Sequence, residues 1–338
     1  MANAAQNQDV FWALRGGGPG IFGIITRATV KAFPDSPTCM AKLTVHGLRS
    51  NDSFWQSGVL PVFQSLQSLH RKEMPANINL QQMPGRSVQV TLNMRVLHTA
   101  DLAIADINMK PLLDTLQHNR IQYSYSSWCL PRYSSSVLGG PFVYPEHYAS
   151  VQGSALVSNT LFNSSLGPTH LATHSRGVPL GPGDVFFTRP LGGATNDKER
   201  LKDTSMHPAW REASQFVGVV KNVRPQSSDG KVDALHEFHN VQMPLLRSIE
   251  PTFKASYVNT PDPSEECAPE YYWGANYERL LETKEKWDPD GLFITRLGVG
   301  SENWDEGGMC RRRRNVPIKH SQVFPPSQLP MQGDSPSV

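Results

Sequence analysis

Apolar and polar positions along the first half of the chain follow two periods, and these succeed each other in a legible order. The run from Ile24 to Phe33 is β-branched and roughly alternating, which predicts a strand. Met40 to Leu48 alternates in the same way. Ser53 to Leu69 places Phe54, Leu60, Phe63 and Leu66 at helical spacing. Two further strand-like runs, Asn77–Gln82 and Arg86–Leu97, are split by a turn at Pro84-Gly85. Ala100 to His118 reads as a helix that Pro111 should kink, and Arg120 to Trp128 as another strand. The order β-α-β-β-α-β predicts an α+β fold, an antiparallel sheet with helices on one face.

Beyond Leu130 the pattern weakens. The stretch to Arg189 is rich in Gly, Pro and Ser and gives no period of its own until Val185–Thr188, a short strand. Gln215–Val220 predicts a later strand, and Val232–Ser248 and Tyr272–Lys286 predict helices. The second of these ends at Asp288-Pro289-Asp290-Gly291, a turn that stops helices.

Composition narrows the class. With 338 residues, 38% hydrophobic and 18% charged, the chain can bury a sizeable core. A net charge of +2 argues against nucleic acid as a partner, and the basic run Arg311–Arg314 leads into a Pro/Ser/Gln-rich tail that reads as disordered. No apolar stretch is long enough to span a bilayer, so no membrane partner is expected. The first residues lack the charged and apolar regions of a signal peptide. Two glycosylation sequons occur, Asn51-Asp52-Ser53 and Asn163-Ser164-Ser165. The four cysteines, Cys39, Cys129, Cys267 and Cys310, are scattered without a C-x-x-C, which supports neither a metal site nor a disulfide framework. Cys129 reads as an ordinary core or loop thiol.

The candidate chemistry begins with glycine. Arg15 is followed by Gly16-Gly17-Gly18-Pro19-Gly20-Ile21-Phe22-Gly23-Ile24, a run that marks close approach of the backbone to something. Gly18-x-Gly20-x-x-Gly23 satisfies the dinucleotide fingerprint by its letters. That fingerprint also needs a strand before it, a helix after it and an acid roughly 20 residues on. Here a strand pattern follows and Asp35 comes too early, so a nicotinamide-dependent Rossmann dehydrogenase is the weakest reading. A glycine loop feeding a strand can still present free N–H groups to a cofactor, and the plain alternative is a tight structural turn.

The closing block, Tyr271-Tyr272-Trp273-Gly274-Ala275-Asn276-Tyr277-Glu278-Arg279-Leu280-Leu281 running into Lys284 to Phe293, resembles that of the berberine-bridge-enzyme-like flavoproteins of the vanillyl-alcohol-oxidase superfamily. The opening Phe11-Trp12-Ala13-Leu14-Arg15-Gly16-Gly17-Gly18 segment resembles the same family, and Gly298 to Trp304 its fungal secondary-metabolism branch, in which alkaloid biosynthesis is one possibility. The resemblance covers roughly residues 9–310. It implies FAD as cofactor, hydride transfer from a small-molecule substrate, and molecular oxygen as electron acceptor. Residues implied to contact FAD are Gly16, Gly17, Gly18, Gly20, Phe22, Gly23, Ile24, Asn276 and Tyr277. Many members place a tyrosine base just after a Tyr-x-Asn segment. This chain reads Tyr257-Val258-Asn259-Thr260, so Thr260 stands there and no catalytic residue is assigned.

The implied organisation is a remnant of a PCMH-type FAD-binding domain over 1–36 and a substrate domain over 37–250. A berberine-bridge-like segment at 251–310 returns to the FAD domain, and a tail covers 311–338. In that family, often secretory, the pyrophosphate, the adenine and any covalent histidine or cysteine link are held by a portion that would lie upstream of Asp9. The expected cofactor site is therefore about half present, and a truncated, inactive remnant is the competing reading. Either way an apolar face should lie uncovered, which favours aggregation of the isolated chain.

Overall fold

The computed structural model describes residues 1–18, 20–135, 149–192, 204–223, 228–305 and 307–312. Its centre is a seven-stranded sheet with the order β4-β1-β3-β2-β6-β7-β5. The strands are β1 (Thr38–Leu48), β2 (Ala76–Gln82), β3 (Ser87–Leu97), β4 (Tyr123–Leu130), β5 (Ala149–Ser158), β6 (Val185–Pro190) and β7 (Ala213–Val223). Every pairing is antiparallel. The helices are α1 (Gln8–Leu14), α2 (Asp52–Phe54) running through a π turn at Trp55–Val59 into α3 (Leu60–Arg71), and α4 (Leu102–His118), in which Pro111 is accommodated. Next come α5 (Asn159–Asn163), α6 (Gly167–Gly177), and α7 (Ser228–Glu237), which continues through a second π turn into α8 (Met243–Arg247). Last are α9 (Ala268–Tyr272) and α10 (Tyr277–Trp287).

The α+β expectation holds, and the sheet shows an internal repeat that the letters concealed. The first half, β1-α3-β2-β3-α4-β4, gives the spatial order 4-1-3-2. The second half, β5-α6-β6-β7 with the α7–α8 helix, gives 1-3-2, and the halves meet where β2 pairs with β6 through Leu80↔Phe186. The fourth place of the second half is taken by main chain near Ala255, whose carbonyl accepts from Leu156 N at 2.9 Å along the outer edge of β5. The strand β5 and the helices α5 and α6 were the elements hidden in the Gly/Pro/Ser-rich stretch.

Side chains alternate across this sheet as a period of two requires. One face carries Ala41, Leu43, Val45, Ile78, Leu80, Val90, Leu92, Val217 and Val219, all buried beneath helices that contribute Phe63, Leu66, Leu116, Phe162, Leu171 and Phe238. Among the described residues no α-helix covers the other face, which carries polar groups such as Lys42, Asn79, Thr91 and Arg189. On the helical face Cys39 and Cys129 stand opposite each other in the β1–β4 register and form a disulfide. This corrects the expectation of isolated thiols. The two residues lie 90 positions apart, and only the register of the edge strand brings them together.

Two other expectations fail. Residues 24–37 form neither strand nor helix, because no neighbouring strand offers them a ladder; Ile24, Val30 and Phe33 are 81%, 82% and 75% exposed. The Tyr272–Lys286 helix is interrupted, since Gly274 takes a left-handed φ of +52° and a tight 3-10 turn over Gly274–Asn276 separates α9 from α10.

A second, smaller core joins the two ends of the fold. Val10, Trp12 and Ala13 of α1 with Ile21 and Phe22 pack against Tyr272, Trp273, Tyr277, Leu280 and Val299. Arg279 lies over the Trp12 ring at 3.9 Å, and Lys286 pairs with Asp9 at 2.6 Å. At the centre is Lys284, 4% exposed. Its ammonium donates to Ile21 O at 2.5 Å, Phe293 O at 2.7 Å and the Asp288 carboxylate at 2.5 Å. Burial works to raise the Asp288 pKa; Lys284 and the N–H groups of Phe293 and Leu292 overcome it and hold the carboxyl below its ordinary value.

Two outcomes follow from these bonds. Reducing Cys39–Cys129 removes a constraint on a loop of 90 residues and should lower stability by about 4 kcal/mol, read as a reductant-dependent shift of the urea midpoint. Lys284→Met strands a buried carboxylate and two carbonyls; it should cost roughly 3–5 kcal/mol and release α1 to proteolysis. An unchanged midpoint in either experiment would contradict the corresponding role.

Candidate functional site

The glycine run connects α1 to the extended segment, and its glycines divide into two groups. A Cβ on Gly16 would sit 2.2 Å from Met206 N, and one on Gly17 would meet Leu280 Cδ2 at 2.6 Å and Ala13 O at 2.8 Å. These two are required by packing. Gly18 holds a left-handed φ of +103°, and a Cβ on Gly20 or Gly23 would meet nothing within 4 Å. Among the described residues no hydrogen bond engages the N–H groups of Gly20, Phe22, Gly23 or Ile24. Phe22 is buried in the smaller core, while Ile24 points outward. The open space beside Gly20 and Gly23 leaves room for a ligand with phosphate or ring oxygens to approach the main chain. Neither flank matches a dinucleotide fingerprint. A helix precedes the loop, residues 24–37 follow without a helix, and the sheet is antiparallel.

The segment Thr204–Glu212 fastens this loop to the sheet, a role sequence reading missed. Ser205 Oγ donates to Ala13 O at 2.9 Å, fully buried. Met206 meets Gly16, and its carbonyl accepts from Asn276 Nδ2 at 2.6 Å. His207 accepts from Ala209 N through Nδ1 at 3.0 Å and donates to Glu270 O through Nε2 at 3.1 Å. Burial lowers its pKa, which keeps the ring in that neutral tautomer. A cavity of about 570 Å³ opens beside it, with Lys254, Glu270, Tyr277 and Glu278 on its walls. Trp210 then packs edge-on against Tyr257 at 5.4 Å.

The two polar residues of the closing motif are both engaged within the protein. Asn276 spends its amide on Met206, as noted. Tyr277 is buried in the smaller core; its hydroxyl donates to the Glu302 carboxylate and accepts from Gly300 N at 3.0 Å. Burial first, then Glu302, pushes the phenol well above its ordinary pKa, so it stays protonated. Trp273 Nε1 donates to Gly16 O at 3.2 Å. The structure therefore brings Gly16, Gly17, Phe22, Asn276 and Tyr277 into one assembly, with Gly20, Gly23 and Ile24 at its open edge and Gly18 between them, where a Cβ would meet Ile21 Cδ1 at 2.9 Å. Lys284 was also overlooked, although its signal was present. A lysine in the apolar stripe Tyr277–Leu280–Lys284, four residues before Asp288, announces a buried pair.

The helix-free face of the sheet meets this assembly through an aromatic cluster. Trp210, Phe216 and Tyr257 pack together, Phe187 adjoins Phe216 at 5.8 Å, and Arg189 lies over Phe187 at 4.7 Å while donating to Asn79 at 3.0 Å. Tyr257 is only partly buried, and its hydroxyl accepts from Asn259 Nδ2 at 2.7 Å. Thr260 Oγ1 donates to Ser154 Oγ at 2.7 Å and pins its segment to β5. Among the described residues no group of histidine, cysteine and acidic side chains is arranged to hold a metal ion.

Comparison with known proteins shows the family to which the chain is related. A family model described as "Berberine and berberine like" matches residues 256–300, which span Tyr257, Thr260, Asn276, Tyr277, Lys284 and Asp288. FAD-linked oxidoreductase easE of Aspergillus fumigatus is 42% identical over 318 residues, covering 94% of this chain and 51% of that protein. The protein of the same name in Claviceps purpurea is 38% identical over 324 residues, covering 96% and 67%. The chain thus spans about half the length of the first of these and two thirds of the second. Among solved structures, the VAO-type flavoprotein MtVAO615 of Myceliophthora thermophila superposes with a TM-score of 0.76 at 22% identity, over 92% of this chain and 56% of that one. Berberine bridge enzyme from Eschscholzia californica superposes at 0.63 and 17%, over 86% and 61%. The fold is that of these flavoproteins, and with the close sequence relatives it establishes that the chain belongs to the berberine-bridge-like FAD-linked oxidoreductases, in their fungal branch.

Proposed function

We propose that this chain supplies one wall of a flavin site and the substrate-facing sheet of an oxidoreductase acting on a small organic metabolite of a fungal natural-product pathway. The observation that carries the reading is the open edge of the glycine loop. Its N–H groups at Gly20, Phe22, Gly23 and Ile24 fit an acceptor-rich ligand, and among the described residues no hydrogen bond uses them. Gly18, Gly20 and Gly23 are the contact glycines in this reading, and Gly16 and Gly17 the packing ones. Asn276, Tyr277 and Lys284 act as positioning residues that hold the loop. Residues 1–36 and 251–310 work together as the flavin-side unit, and 37–250 as the substrate side.

The main chain of Gly20, Phe22, Gly23 and Ile24 would hold FAD, which would supply hydride-accepting chemistry with molecular oxygen as the final acceptor. The chain's own part is orientation. The aromatic group Trp210, Phe216 and Tyr257 offers flat apolar surface, and Arg189 and Asn79 offer polar contacts beside it. Thr260 is not the base in this scheme, because its hydroxyl is weakly acidic and already donated to Ser154.

Two measurements test this. Purified chain mixed with FAD and desalted should retain the flavin absorption bands; a folded sample that retains none would replace the proposal with the inactive-remnant reading. Gly20→Val, at a position with open space, should leave thermal stability unchanged and weaken FAD retention at least tenfold. Gly16→Ala should do the reverse, lowering stability by about 3 kcal/mol through its clash with Met206. Equal effects of the two substitutions on FAD retention and stability would sink the division of the loop.

A further inference from the structure

We infer that Arg95 and Arg189 form a subsite for a carboxylate, so that the molecule bound on the sheet face opposite the helices is flat and apolar at one end and anionic at the other. The inference rests on reading that face as the substrate side, and it adds a group that the ligand must carry. Side chains alternate along β2 and β3, so Asn93 and Arg95 share the face of Thr91, and Asn77 shares that of Asn79. Asn77 stands opposite Asn93 in the register. β6 brings Arg189 to the same face, where its Nη1 donates to Asn79 Oδ1 at 3.0 Å. Two guanidiniums and a row of carboxamides therefore gather at the end of the sheet where β2 begins and β3 and β6 finish.

No acid answers these arginines. Among the described residues neither forms an ion pair, and Arg95 Nε lies buried without a hydrogen-bond partner. Arg189 uses Nη1 for Asn79 and for Thr188 O at 2.8 Å, and among the described residues no hydrogen bond engages its Nη2. Burial first, and then the charge of Arg95, hold Arg189 below its ordinary pKa, which marks two like charges within reach of each other and away from bulk water. A charge withdrawn from water without a counter-ion is costly, so arginines that serve packing alone are normally paired. Asn77 is only 9% exposed, and among the described residues neither its amide nor that of Asn93 makes a hydrogen bond. A carboxylate fits these vacancies: it is planar, its two oxygens match the fork of a guanidinium, and its charge offsets the repulsion between the two arginines. The apolar end of the ligand is set by the aromatic cluster. Arg189 lies over the Phe187 ring at 4.7 Å, and Phe216 stands 5.8 Å from both Phe187 and Tyr257. A flat ring on that surface with a carboxylate at its rim meets both halves of the site.

The test is equilibrium dialysis of the purified chain against naphthoate and against naphthylmethanol, its uncharged counterpart. The chain should bind naphthoate at least about tenfold more tightly, a preference that shrinks as salt is raised. Arg95→Met and Arg189→Met should each abolish the preference by weakening naphthoate alone, with the affinity for naphthylmethanol retained as the sign of an intact fold. Arg189→Lys keeps the charge and loses the fork, and should fall in between. Equal affinity for the two probes, or no binding of naphthoate, would overturn the subsite without any variant having to fold. A preference that survives both methionine substitutions would overturn it too. Added FAD should leave naphthoate bound; displacement would assign the arginines to the phosphates of the cofactor and refute the substrate assignment. A chain that retains FAD and shows no preference refutes this inference alone, whereas one that prefers naphthoate and retains no FAD refutes the flavin reading.

Discussion

A lysine ammonium taken out of water has to find acceptors for all its protons, and that requirement organises the junction of this fold. Lys284 meets it with two carbonyls from different parts of the chain and one carboxylate. Because Ile21 O is one of the three, the position of the glycine loop is set by a residue in α10. The rest follows from that tie. Trp273 and Met206 close on Gly16, Leu280 closes on Gly17, and open space is left beside Gly20 and Gly23. The buried charge gains little stability in itself compared with apolar packing, but it fixes a register that apolar contacts alone leave free to slide.

The sheet separates two tasks by its two faces. Its helical face is a continuous aliphatic core that spans both repeats and gives the platform its rigidity. Its opposite face carries polar side chains and only a small apolar cluster, in which Leu156 packs with Trp210 and Ala255. The segment Thr204–Glu212 transmits position from one to the other. It is anchored to α1 and the closing motif at Ser205, Met206 and His207, and to the sheet at Trp210. A rigid sheet, a braced loop and an open edge between them make a preorganised surface rather than a flexible one.

Elements with a strong period were legible in the letters. The first repeat was readable almost residue by residue, because its alternating and helical stripes are long and its turns carry Pro-Gly or Asp caps. The second repeat was half lost, since β5 and α5–α6 use serine, glycine and alanine where the first uses leucine and valine. Ile24–Phe33 shows the opposite failure. It has the composition of a strand, but a strand requires a partner ladder, and composition says nothing about whether one is supplied. The disulfide was invisible for a related reason, as it depends on the register of two strands and not on spacing along the chain. At the site, the glycines and the Asn-Tyr pair were visible as residue types. Their division into packing, positioning and open positions emerged only when Met206 and Lys284 were seen beside them.

The bond between Lys284 and Ile21 also sets a clock. The two residues are separated by 263 positions, so during synthesis the glycine loop emerges long before its partner. At roughly 5–20 residues per second, the loop waits on the order of 10–50 s for α10 to appear. Throughout that interval Ile21 and Phe22 lack the core that later covers them, and the apolar run from Ile24 to Phe33 follows directly behind. The sheet, whose repeats are each closed by nearer contacts, can be complete before then. The growing chain therefore carries a finished platform beside a loop whose apolar side chains still await their cover, and that interval before α10 arrives is when they are open to misassembly.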